Sequence, residues 1–160
     1  MRKQGNTDLQ TGLISVIFPI YGTFDQNRLL LAIQSAQNQR EVDVEIIVSE
    51  HGDTPKLQSK LDSSVKYIFT KHLIKKGANN FNPGKIRNDG VNISHGEYVY
   101  TNDSDVIFMN PLFLWNCKRL LEKDEKLSLF RPRMRRLPIE DFETFLLRIH
   151  CILLRNAFSI

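Results

Sequence analysis

Two aspartates one residue apart, Asp103 and Asp105, interrupt an otherwise apolar stretch, "GEYVYTNDSDVIFMNP", running from Gly96 to Pro111. Acidic side chains are rarely buried without a partner. In an extended segment, residues i and i+2 point to the same side. Two carboxylates held that way repel, which raises one pKa unless a cation intervenes. A magnesium or manganese ion resolves the conflict, because it takes oxygen ligands and can bridge to a phosphate. A polyphosphate sugar donor would fit such a site, since the metal neutralises the leaving group. The plain alternative is turn chemistry, with Asp103 capping a turn and Asp105 facing water.

The elements that must position this pair follow from hydropathy. "LISVIFPIYG", Leu13 to Gly22, is a nearly continuous apolar run and reads as a strand buried on both faces. Pro19 and Gly22 mark its end. Asp25 can cap a helix carrying Leu29, Ile33 and Ala36 at helical spacing. "VDVEIIVSE", Val42 to Glu50, is a second buried strand, and a short helix is expected from Pro55 to Leu61. "SVKYIFT", Ser64 to Thr70, is a third strand, and the polar stretch from Lys71 to Gly84 reads as a loop. "KIRNDGVNIS" fits a helix with Ile86, Gly90 and Ile93 toward the core and Lys85, Asn88 and Asn92 on another face. Gly84 and Gly96 precede that helix and the next strand, where a glycine permits close approach. "EYVYTND" is the fourth strand, a helix opens at Pro111, and "LSLFRP" suggests a fifth strand. The stretch from Ile139 to Ile160 has the spacing of an amphipathic helix.

Strands alternating with helices give an α/β layered fold with a mostly parallel sheet. Ligands of such sheets sit beyond the carboxyl ends of the strands. "YGTFD", "SEHGD" and "NDSD" all fall at that end. Their common position says more than any one of them alone.

Composition narrows the function classes. The 160 residues suit one domain, and 41% hydrophobic with 25% charged residues is an ordinary globular balance. No run of eighteen or more uncharged apolar residues suggests a membrane span, and "MRKQGNTDLQTG" lacks the apolar core of a signal peptide. A cytoplasmic location is therefore expected, and the sequons at Asn92 and Asn102 are read as chance. Cys117 and Cys151 are too few and too far apart for a disulfide scaffold or a thiolate metal site. The net charge of +4 is compatible with an anionic ligand but does not argue for nucleic acid, despite "RPRMRR" from Arg131 to Arg136. His51, His72 and His95 form no compact ligand set and read as loop or surface residues. Walker and nucleophile-elbow motifs are absent.

In this order, "SVIFPIYG", "EIIVSE" and "NPGKIRNDGVNISHGEYVYTNDSD" resemble the nucleotide-sugar half of a family 2 glycosyltransferase with the GT-A fold. The resemblance covers roughly Leu13 to Pro111. It implies a Rossmann-type three-layer sandwich and transfer of a sugar, with inversion, from a nucleotide-diphospho-sugar of the UDP class to an acceptor hydroxyl. Pro19 and Tyr21 would line the base pocket, and Glu50 would contact the nucleoside. Lys85 and Arg87 would meet the donor phosphates, with Asn88 beside them. Asp103 would lie by the ribose and the metal, and Asp105 would ligate Mn2+ or Mg2+ under the pyrophosphate.

The acceptor region looks short. Inversion needs a carboxylate to take the acceptor proton. The candidates after Asp105 are Glu140 and Asp141 in "LPIEDFE", which resembles the family's base motif but would equally suit the first turn of a helix. The expected organisation is a polar tail (1–12), a nucleotide-sugar-binding domain (13–130), and a basic loop with an amphipathic helix (131–160). That helix could meet a partner protein or a membrane surface, and the acceptor would be a carbohydrate or lipid-linked. The alternatives are a non-catalytic or truncated donor-binding module of the same fold and, more remotely, a nucleic-acid-binding protein.

Overall fold

The structure, a computed structural model, describes residues 9–21, 25–71, 82–124 and 126. These lie in one unit of the chain, Met1–Lys126. The expected fifth strand, the C-terminal helix, the arginine cluster, His72, Glu140 and Asp141 lie outside the described residues, as does most of the polar loop.

Apolar runs become strands where the sequence places them. The elements are β1 (Gln10–Tyr21), α1 (Gln26–Gln37), β2 (Val44–Gly52), a 3-10 turn (Gln58–Lys60), β3 (Lys66–Lys71), α2 (Pro83–Asn92), β4 (Gly96–Thr101) and α3 (Phe113–Lys123). Asp25 caps α1 by accepting from the backbone N–H of Asn27 and Arg28. Asn82 caps α2, with Pro83 in its first turn. The short helix expected from Pro55 shrinks to the 3-10 turn, and the Lys56 and Leu57 N–H groups just ahead of it are bonded to Glu50.

The four strands form one sheet in the order β3-β2-β1-β4, with every neighbouring pair parallel. Alternation along the central strands gives each side of the sheet its own layer. Ile14, Val16, Phe18 and Ile20 of β1 and Ile46 and Val48 of β2 form one core with Leu29, Ala32, Ile33 and Ala36 of α1 and Leu114 of α3. Ile17 and Ser49 face α2 on the other side, where the Ser49 hydroxyl donates to the Ile86 carbonyl at 2.8 Å. The expected α/β sandwich is the observed fold.

The α2 layer sits very close to the sheet. A Cβ added at Gly90 would lie 2.5 Å from Cγ2 of Ile17, so this helix can approach β1 only where a side chain is missing. Gly90→Ala should destabilise the chain by about 1–3 kcal/mol through overpacking, read as a lower urea midpoint. An unchanged midpoint would show that α2 can lift away freely. Gly96 opens β4 under the same constraint, its virtual Cβ lying 2.6 Å from the Ser15 backbone nitrogen.

Candidate functional site

The strand order reverses direction between β1 and β4. Chain progress from β1 runs outward through β2 to β3, and β4 then returns to the far side of β1. Connections leave a crevice at such a switch point, beyond the carboxyl ends of the strands. Here β4 falls short of β1 at that end. Its last pair with β1 is Ile17 with Thr101, whereas β1 continues beside β2 to the pair Tyr21 with His51.

Pro19 is placed by this mismatch. The Asn102 N–H donates to the Ile17 carbonyl at 2.8 Å, so odd-numbered residues of β1 turn their backbone groups toward β4. Two residues further on, β4 has already turned away. The missing N–H of Pro19 therefore costs no ladder bond, although β1 is a central strand. Pro19 and Tyr21 share one face of β1 at the crevice, and both are partly exposed.

The acidic turn follows β4 at the same end of the sheet. β4 ends at Thr101, and residues 103–106 form a turn in which the Val106 N–H donates to the Asp103 carbonyl at 3.1 Å. The expectation of an extended segment with both aspartates on one side is thus corrected. The backbone turns at Ser104 because the apolar stretch after it must double back. Phe108 packs against Tyr100 and Phe113, with ring centroids 5.4 and 5.3 Å away. Asn102 is 2% exposed and clasps the turn, its Nδ2 donating to the Val106 carbonyl at 2.8 Å. Asp103 and Asp105 are left on the exposed outer side of the turn. This answers why apolar sequence flanks two carboxylates: the neighbours are anchored in the core, and the aspartates stay at its rim.

The second turn of α2 reaches the same rim. Nη2 of Arg87 lies 3.2 Å from Oδ1 of Asp103. Asn88 is exposed on the same helix. Lys85 is directed elsewhere, its Nζ lying 3.0 Å from Oδ2 of Asp89. Asp105 makes no hydrogen bond or ion pair with the other described residues. Among those residues no group of three His, Cys, Asp or Glu side chains could hold a metal ion.

Glu50 sits on the α1 side of the sheet and is 2% exposed. Its carboxylate accepts from the Lys56 and Leu57 N–H groups at 3.1–3.2 Å and from the Tyr67 hydroxyl at 2.6 Å. Burial, and then the hydrogen bond to Glu50 and its negative charge, push the Tyr67 phenol above its usual range. Glu50 therefore shapes the loop after β2, and it is not brought together with Pro19 and Tyr21.

Two groups at this end of the sheet escaped the sequence reading. Asn102 gave no signal beyond a sequon. His51, expected at the surface, is 3% exposed, because it is the last but one residue of β2 and faces the α2 layer. Its Nε2 donates to Oδ2 of Asp89 at 2.7 Å, an ionised carboxylate being able only to accept. The Thr70 hydroxyl donates to the same oxygen at 2.9 Å. Burial would raise the Asp89 pKa, but bonds from Lys85, Thr70 and His51 and the Lys85 charge outweigh it and lower the value. His95 is likewise no free surface group, its ring meeting Lys66. The Asp89 cluster pins α2 to β2 and β3. Asp89→Asn should cost about 1–3 kcal/mol by chemical denaturation, and a stability equal to the parent would show that the cluster carries no load.

The family model of glycosyl transferase family 2 matches residues 15–142, well over half of the chain. The chain belongs to that family. An uncharacterized glycosyltransferase of Rickettsia bellii (strain RML369-C) is 30% identical over 107 residues, which is 64% of this chain and 14% of that protein. The fold is also similar to crystal structures of S. aureus TarS. For TarS 1–349 the TM-score is 0.50 at 18% identity, covering 78% of this chain and 38% of that one. For a second TarS structure it is 0.51 at 20% identity, covering 79% and 23%. At these identities the likeness shows the GT-A-type fold. This family 2 chain spans about a seventh of the bacterial relative's length. No helix among the described residues is long and apolar enough to cross a membrane.

Proposed function

We propose that the chain binds a nucleotide-diphospho-sugar of the UDP-sugar class and serves transfer of its sugar, with inversion, to an acceptor hydroxyl. One observation carries this reading. At the carboxyl ends of the sheet, Pro19 and Tyr21 share a partly exposed face of β1, and the exposed turn carrying Asp103 and Asp105 follows β4, the strand paired beside it.

In this reading Tyr21 and Pro19 offer a flat, partly apolar surface to the base. Glu50 contributes by fixing the loop behind them, through its bonds to Lys56 and Leu57. Arg87 brings a guanidinium fork to the diphosphate, and Lys85 and Asn88 stand on the same helix. A manganese or magnesium ion would be held by Asp103 and Asp105. The set fits, because such ions are commonly bound by one or two carboxylates plus substrate phosphates. When bound, the ion supplies neutralisation of the departing diphosphate. Asp141 or Glu140 takes the proton of the acceptor hydroxyl as it attacks the anomeric carbon from the face opposite the leaving group. The acceptor is a carbohydrate or lipid-linked molecule, and the segment 131–160 is where a membrane surface or partner would act.

Calorimetric titration of the chain with UDP, with and without Mn2+, tests the binding part. Binding that requires the ion is expected. No heat from a chain shown to be folded by circular dichroism would overturn the donor site. Release of UDP from UDP-sugar by the chain would extend the reading to turnover, while binding without release would mark a donor-binding module.

A further inference from the structure

We infer that Arg87 is an electrostatic latch on the metal position: without ligand its guanidinium stands in for a divalent ion at Asp103, and the donor diphosphate draws it away. This deepens the donor-site reading and rests on it.

The geometry is specific to one cation. Arg87 and Lys85 lie on the same helix, yet they meet different carboxylates. Lys85 is held by Asp89, which is also bonded by His51 and Thr70. Arg87 meets Asp103, 3.2 Å away, in the turn after β4. The Arg87 and Asp103 side chains are 35% and 56% exposed. Exposed ion pairs hold weakly, so this one can open without disturbing the fold. The guanidinium of Arg87 brings a positive charge to Asp103, so it competes there with a metal ion. Its planar fork also suits a phosphate at two points, while the pair with Asp103 uses one nitrogen and one oxygen.

Two consequences follow. A divalent ion arriving alone must displace Arg87 from Asp103, whereas Asp105 is bonded to no other described residue. A diphosphate gives Arg87 a better partner and frees Asp103 for the ion. Nucleotide and metal therefore help each other even before any direct phosphate–metal bond is considered, and the help is reciprocal.

The test titrates Mn2+ alone, reading the free ion by electron paramagnetic resonance, against the parent, Arg87→Gln and Lys85→Gln. Separate titrations add UDP alone and UDP with Mn2+. Arg87→Gln should bind Mn2+ alone about threefold more tightly, the extent to which an exposed ion pair can hold an ion back. It should bind UDP about tenfold more weakly, a charged hydrogen bond being lost. Lys85→Gln removes the same charge from the same helix and should leave the Mn2+ affinity at the parent value. Equal tightening in both variants would reduce the effect to helix charge and overturn the latch. So would an unchanged or weaker Mn2+ affinity in Arg87→Gln while the parent binds UDP with Mn2+. A parent that binds no UDP even with Mn2+ overturns the donor site itself, and the latch with it.

Discussion

Replacing Asp105 with alanine should abolish the dependence of UDP binding on manganese. Affinity measured with the ion present should fall on the order of 100-fold. Loss of a supporting residue around a metal already costs about 10–100-fold, and a direct ligand belongs at the upper end. The fold should be unaffected. Asp105 lies on the outer side of a turn, and it bonds to no other described residue. Surface changes of this sort stay within about 0.5 kcal/mol. Calorimetry and thermal unfolding of the same preparation separate the two quantities. Parent-like, metal-dependent UDP affinity in Asp105→Ala would remove this residue from the site. Asp103→Ala is the less clean experiment, since it also releases Arg87.

The largest stability effect is expected at Glu45, at the other end of the sheet. Its carboxylate joins all four strands. It accepts from the Ser15 hydroxyl of β1, from Lys66 of β3 and from the N–H of His95, just before β4. It also accepts from the Gly96 N–H, at 3.1 Å, and that N–H donates to the Ser15 oxygen at 2.8 Å. The Glu45 side chain is only 11% exposed, while Lys66 at 40% can return to water. Glu45→Ala would strand several buried donors at once and should cost about 2–4 kcal/mol, toward the low side of a broken buried pair. Glu45→Gln keeps an acceptor and should cost less. A urea midpoint for Glu45→Ala equal to that of the parent would show that water replaces the carboxylate.

The same group gives an acid dependence with a definite sign. Burial acts to raise the Glu45 pKa, but the bonds from Lys66, Ser15 and His95 and the Lys66 charge outweigh it and bring the value to about 2. The unfolded chain, with an ordinary carboxylate, binds a proton first. The stabilisation is therefore complete above the usual glutamate value of about 4.5. It drains away as the pH falls from there through about 2. Allowing for solvent screening on the Lys66 side, the loss is about 2 kcal/mol. Unfolding free energies from urea at pH 7, 4 and 3 should show the decline in the parent and a flatter profile in Glu45→Gln. Equal slopes would dissociate Glu45 from the acid response.

Much of the frame was legible from residue order. Ile- and Val-rich runs bounded by turn residues read as buried strands, and helices between them favour parallel pairing. Asp25 before Leu29, Ile33 and Ala36 located α1, and chain direction put Tyr21 and Asp103 at the carboxyl-end side of their strands. Glu50 shows where such reading runs short. Its type and its place after an apolar strand suggested an open acceptor, yet Lys56, Leu57 and Tyr67 surround it. Nothing local shows that the loop after β2 folds back over the strand end.

Among the described residues, the sequence by itself determined the four strands, the main helices and the parallel pairing, because hydrophobic period and chain direction are local properties. Only the tertiary structure decided the partners. Arg87 and Asp103 are 16 residues apart and His51 and Asp89 are 38 apart. Which of two neighbouring cations, Lys85 or Arg87, meets which carboxylate depends on how α2 lies across β1. That lie is set by the missing side chain at Gly90 against Ile17. Periodicity tells which face a residue occupies; the closeness of packing tells what it touches.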